Sequence, residues 1–177
     1  GNNIKCGNSL IGTDFYNHLN PPLLRGTKGV VTSLTTNMLS EEERYRINPF
    51  DWDKEFPEIM KAGGFDVVIG NPPYVRQEGL GNLKEYFQRK YTVYHGMADL
   101  YSYFIEKGVS LLRDKGVFGY IVANKWMRAN YGEPLRNWLK QQCIKQIVDF
   151  GDLPVFQQAT TYPCILVIGK DKSPPAF

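Results

Sequence analysis

Apolar residues in this chain fall in short runs, and four of the runs have the length of strands: residues 65–69, 117–123, 144–150 and 164–168. The first two are nearly continuous in apolar character, the pattern of strands covered on both faces in a parallel sheet. Ile4-Lys5-Cys6 reads as the end of a further strand. Between the runs the period becomes helical. Leu100, Phe104, Gly108, Leu111 and Leu112 recur on one face, with Asp99 a plausible N-cap, and Asp114-Lys115-Gly116 then turns the chain into a strand. Leu135, Trp138 and Leu139 mark a second helix with Pro134 in its first turn. Asn82 and Glu85 before Tyr86 and Phe87, and Ser40 with Glu43, carry capping signatures.

The order strand, helix, strand, helix, strand, strand predicts an α/β fold with a mostly parallel sheet. About a dozen residues without helical pattern join the last two strands, so these form an antiparallel closing pair. Residues 21–64 read as a long connection, which in a compact domain usually carries function or an insertion. Ser173-Pro174-Pro175 reads as a boundary, and residues 173–177 as a linker.

The length of 177 residues suffices for one core, and with 42% hydrophobic and 22% charged residues the composition is globular. No apolar run approaches the ~18 residues of a membrane helix, and no membrane partner is expected. A net charge of +3 tolerates a polyanionic partner without demanding one. Three dispersed cysteines, Cys6, Cys143 and Cys164, and two histidines, His18 and His95, offer neither a disulfide framework nor a zinc site. A reducing, cytoplasmic compartment fits best.

The chemistry concentrates in Asn71-Pro72-Pro73-Tyr74, directly after the strand at 65–69. In open α/β sheets, ligands sit beyond the carboxyl ends of the strands. The prolines fix φ and remove two backbone donors. Asn71 offers a side-chain carbonyl and Pro72 a backbone one, two acceptors on a stiff frame beside the flat face of Tyr74. A planar group with an exocyclic NH₂ suits this arrangement. Asn and Pro are also ordinary turn residues, and a plain Pro-Pro turn is the competing reading.

The longer stretch, Phe65-Asp66-Val67-Val68-Ile69-Gly70-Asn71-Pro72-Pro73-Tyr74-Val75-Arg76-Gln77-Glu78, resembles the catalytic motif of amino-directed adenine DNA methyltransferases. The likeness is closest to the class fused with restriction enzymes and to related phage-defence methylases. Cys6-Gly7-Asn8-Ser9, Ile47-Asn48-Pro49-Phe50-Asp51-Trp52, Asn124-Lys125-Trp126 and Tyr131-Gly132-Glu133-Pro134-Leu135-Arg136 extend it over nearly the whole chain. It implies a Rossmann-like methyltransferase fold, S-adenosylmethionine as cofactor, and double-stranded DNA as partner, with the target adenine flipped into a pocket. Asn71 and Pro72 would accept both N6 hydrogens and Tyr74 would stack on the base. Pro73, Phe156 and Arg76 would complete the substrate side, with Phe156 stacking on the opposite face of the base. Asn8, Ser9 and Asp99 would belong to the cofactor side, where many relatives carry Asp in place of Asn8. Asp99 has a second possible place in the base pocket. Arg76, Lys125 and Arg128 would meet phosphates. No metal is implied.

The Gly-rich cofactor loop of this family has no counterpart before Ile4, and Gly26-Thr27-Lys28-Gly29 is too sparse to supply it. The expectation is therefore a fragment. Residues 1–172 would be the catalytic portion of a methyltransferase domain, inactive alone, with the cofactor loop upstream and the target-recognition domain downstream. A protein-glutamine or RNA methyltransferase, and a non-catalytic DNA-binding or assembly module, stand as alternatives.

Overall fold

The computed structural model describes residues 5–16, 47–75, 83–153, 155–156 and 162–171. Residues 1–57 and 58–177 form two compact units. In the first, Ile11, Phe15 and Phe50 are buried. The rings of Phe50 and Trp52 meet edge to face at 4.9 Å, and Trp52 stacks on Phe56 at 5.8 Å. Lys5 and Cys6 are not in a strand. The segment makes one isolated parallel bridge, Asn8 to Pro49. Two short helices, α1 (Trp52–Glu55) and α2 (Pro57–Lys61), follow.

The second unit holds all four expected strands: β1 (Phe65–Gly70), β2 (Leu112–Ala123), β3 (Cys143–Asp149) and β4 (Pro163–Gly169). Helices α3 (Leu83–Lys90) and α4 (Tyr101–Ser110) lie between β1 and β2, and α5 (Glu133–Leu139) lies between β2 and β3. The sheet order is β1-β2-β4-β3. β1 and β2 run parallel, and β4 runs antiparallel to both of its neighbours. Three of the four strands therefore point one way. The antiparallel strand is inserted between β2 and β3 rather than added at the edge.

Two boundaries differ from the sequence pattern. α4 stops at Ser110, so Leu111 and Leu112 are not helical, and Leu112 opens β2. Asp114-Lys115-Gly116 is not a turn ahead of the strand. It is an irregularity inside β2, where the register with β1 jumps from Phe65↔Leu112 to Val67↔Val117 and Lys115 sits at φ 63°. Tertiary partners extend the strand through these polar residues. The Arg113 guanidinium donates to Asp66 at 2.7 Å, and the Lys115 N–H donates to the Lys170 carbonyl at 2.8 Å.

The register divides the sheet into two faces. Phe118 and Val122 of β2 and Cys164, Leu166 and Ile168 of β4 share one face and are buried. α4 packs there so closely that a Cβ on Gly108 would lie 2.6 Å from the Phe118 ring. An aromatic cluster continues this core, with Phe87 stacked on Tyr103 at 4.9 Å. The opposite face is apolar and open at its β1 edge: Val67, Ile69 and Val117 are 56%, 78% and 41% exposed.

Candidate active site

The strand directions bring the carboxyl ends of β1, β2 and β3 to one end of the sheet, together with the start of β4. The Asn124 N–H donates to the Tyr162 carbonyl at 2.8 Å, and the Phe150 N–H to the Pro163 carbonyl at 3.2 Å, closing that end. Asn71-Pro72-Pro73-Tyr74 leaves β1 there. Asn71 and Pro73 are exposed, Pro72 is buried and Tyr74 is half-buried. Among the described residues, no donor occupies the Asn71 side-chain oxygen or the Pro72 carbonyl.

Tyr74 is fixed at both ends. Its hydroxyl donates to the Ile121 carbonyl of β2 at 3.3 Å, and its ring meets Tyr101 of α4 edge to face at 6.3 Å. Burial, with a smaller contribution from the Cys164 thiol, pushes the Tyr74 phenol above its ordinary range. Burial, then the Asp99 charge, does the same to Tyr101. The Tyr101 hydroxyl is buried without a hydrogen-bond partner among the described residues.

At the same end of the sheet lies a cavity of about 790 Å³ that none of Asn71, Pro72, Pro73 and Tyr74 lines. Its lining includes Asp99, Asn124, Lys125, Arg128, Tyr131 and Asp149. The Asn124 side-chain NH₂ donates to Asp149 at 2.8 Å, and the Gly151 N–H donates to the same carboxylate oxygen at 3.0 Å. These two bonds, with help from the Arg128 charge, hold the Asp149 carboxyl below the usual carboxylate range. Residues 124–129 are pinned from below. The Arg136 guanidinium of α5 donates to the carbonyls of Trp126 at 2.6 Å and Ala129 at 2.8 Å. Gly132 passes so near that a Cβ would sit 2.1 Å from the Trp126 carbonyl oxygen.

Asp99 does not cap α4. Leu100 occupies the cap position and makes no side-chain cap bond, while the Asp99 carboxylate accepts from the Tyr131 hydroxyl at 3.5 Å. In the first unit, the Asn8 side-chain oxygen accepts from the Leu10 N–H at 3.3 Å, a local turn, and the Ser9 carbonyl accepts from the Trp52 indole at 3.2 Å. Phe156 is half-buried and makes no ring contact with Tyr74 among the described residues. Arg76, Asn82, Ser40 with Glu43, His18, residues 26–29 and the 173–177 tail lie outside the described residues.

Residues 7–156 match the Eco57I restriction-modification methylase family. The chain belongs to this family. Among its relatives, it is 31% identical over 138 residues to the type II restriction enzyme and methyltransferase RM.Eco57I of Escherichia coli, covering 75% of this chain and 13% of the relative. It is 41% identical over 113 residues to the type II methyltransferase M.PaeR7I of Pseudomonas aeruginosa, covering 62% of this chain and 20% of the relative. The chain thus spans a fifth or less of the length of these relatives. A crystal structure of the type I restriction-modification methyltransferase subunit from Streptococcus thermophilus superposes with a TM-score of 0.53. It is 18% identical, with 71% of this chain and 27% of that one covered, a likeness of fold.

Gly132 and Arg136, part of the resembling sequence, support the turn that follows β2. The pattern assigns no role to Asn124 or Asp149, because their pairing joins two strand ends 25 residues apart. No helix among the described residues is long and apolar enough to cross a membrane.

Proposed function

We propose that this chain is the catalytic portion of a DNA adenine-N6 methyltransferase of a restriction-modification system, acting in the cytoplasm on a flipped adenine. The observation that carries the reading is the pair of acceptors, Asn71 and Pro72, that no donor among the described residues occupies, at a strand end beside the anchored ring of Tyr74. Adenine N6 is a weak nucleophile because its lone pair is delocalised into the ring. When Asn71 and Pro72 accept its two hydrogens, electron density returns to nitrogen and the amino group is held in one orientation. Tyr74 stacks on the base, restrained by its hydroxyl bond to Ile121 and its ring contact with Tyr101. Pro73, Phe156 and Arg76 complete the substrate side.

S-adenosylmethionine supplies an electrophilic methyl group when bound. The described residues offer a substrate side that fits this chemistry. Their cofactor side is thin, because the Asn8 oxygen is engaged in its own turn and no glycine-rich turn after a strand is present among them. Asn8 and Ser9 contribute to the cofactor side in the complete protein, and the rest of the polypeptide supplies the loop. Of the two places open to Asp99, its Tyr131 partner and its position in the cavity favour the base side.

The test is product identity. The complete protein is incubated with duplex DNA and a methyl-labelled donor, and the DNA is digested and its nucleosides separated by mass. N6-methyladenine is expected. Label confined to cytosine N4, to RNA, or to glutamine in added protein contradicts the reading.

A further inference from the structure

Among the described residues, most large apolar side chains left in water gather in two places. Val67, Ile69 and Val117 lie on the open sheet face, and Val75, Met97, Leu153, Val155 and Tyr162 lie on connections at the carboxyl end of the sheet. Met97 is the most exposed of the second group, at 68%, and it also lines the cavity. The turn that presents it is tied at several points. The Glu106 carboxylate of α4 accepts from the Thr92 and Val93 N–H groups at 3.1 and 3.0 Å. The His95 carbonyl accepts from the Ala98 N–H at 2.9 Å and from the Tyr103 hydroxyl at 3.3 Å, and His95 Nδ1 accepts from the Met97 N–H at 3.1 Å. Val93 and Ala98, on either side of the tip, are buried. The tip itself stands clear, since no described atom lies within 4 Å of the place a Cβ on Gly96 would take.

A single exposed apolar residue is ordinary on a protein surface. Met97 differs in two respects. Its turn is fixed, and the chain runs from it directly to the motif: the Leu100 N–H donates to the Val75 carbonyl at 2.9 Å, one residue past Tyr74, and Tyr101 meets the Tyr74 ring. Extruding a base leaves a step of the duplex unstacked, and proteins that open base steps insert apolar side chains there, Met among them. The unbranched, polarisable thioether of Met adapts to an aromatic face. We propose that Met97 is a wedge that enters the duplex where the target base leaves it, its thioether packing against the face of the neighbouring base. This rests on the reading that the chain acts on an extruded base of DNA. Met97 is a positioning residue. It keeps the base out of the stack and takes no part in the transfer itself.

The test uses the complete protein without methyl donor and a duplex carrying the site whose methylated position the product analysis identifies. The base analogue 2-aminopurine, placed at the target adenine, is quenched when stacked and brightens on extrusion. Wild-type protein should brighten it. Met97→Ala should reduce the rise at saturating protein and weaken binding by about 10-fold, with the slope of log affinity against log salt unchanged because no phosphate contact is lost. Met97→Leu, apolar and of nearly equal volume, should keep the wild-type rise and affinity. Thermal unfolding should be the same in all three proteins, because the side chain is exposed. A wild-type rise in Met97→Ala overturns the proposal whatever its affinity, and so does an equal loss in Met97→Leu. The two readings fail separately. If the product is N4-methylcytosine, pyrrolocytosine takes the probe position, and a reduced rise in Met97→Ala then keeps the wedge while the adenine reading fails. N6-methyladenine with a wild-type rise in Met97→Ala keeps that reading and overturns the wedge.

Discussion

Asn71 and Tyr74 owe their geometry to the residues around them. Two prolines stiffen the chain between them, the Ile121 carbonyl holds the Tyr74 hydroxyl, and Tyr101 holds the ring. Under this group lies Cys164, fully buried, whose thiol is pushed by burial up to about 11 from an ordinary value of 9.0. A raised folded-state value means that the unfolded chain releases its proton first. Stability is therefore intact below about 9 and falls as pH rises toward 11. The buried phenols of Tyr101 and Tyr120 act in the same direction. The expected outcome is a urea midpoint that drops steadily above pH about 9, with Cys6 alkylated at once at neutral pH and Cys164 only after unfolding. Rapid labelling of Cys164 in the folded protein contradicts this packing. The role of Asp99 was not legible at this scale. An Asp ahead of a helix has the local signature of a cap, and only the fold brings in Tyr131, 32 residues away, as its partner.

At the scale of elements, the apolar runs located all four strands but not their burial: β1, expected to be covered on both faces, and β3 carry no buried residue, and only β2 and β4 do. The beginning of β2 was hidden. Arg113-Asp114-Lys115 has no strand character of its own and is drawn into the sheet by Asp66 and by the Lys170 backbone. The insertion of β4 between β2 and β3 was likewise invisible, since the pattern specifies that a strand exists and not which neighbour it pairs with. The clamp on residues 124–129 gives this scale its prediction. Gly132→Ala would drive a Cβ into the Trp126 backbone, where no side chain can yield. A loss of about 1–3 kcal/mol or local displacement of the turn is expected, the range of overpacking substitutions. Chemical denaturation reads the first and duplex affinity the second. A variant with wild-type stability and wild-type DNA affinity contradicts the clamp.

At the scale of the whole molecule, Asn71, Pro72 and Tyr74, proposed for the substrate side, lie in the second unit, and Asn8 and Ser9, proposed for the cofactor side, in the first. The substrate-side residues are held on strand ends and on a tied turn. The apolar face with Val67 and Ile69 leaves β1 exposed on one flank. The relatives are five or more times the length of the matched segment. The central claim is that Asn71 of this segment captures the amino group in the complete enzyme. Single-turnover methyl transfer by the complete protein carrying Asn71→Ala, with duplex binding and thermal unfolding measured alongside, tests it most directly. The account predicts that transfer to adenine falls by at least about 100-fold, the loss seen when an oriented polar contact to the reacting atom is removed, while binding and unfolding stay at wild-type values. Transfer at the wild-type rate would contradict it.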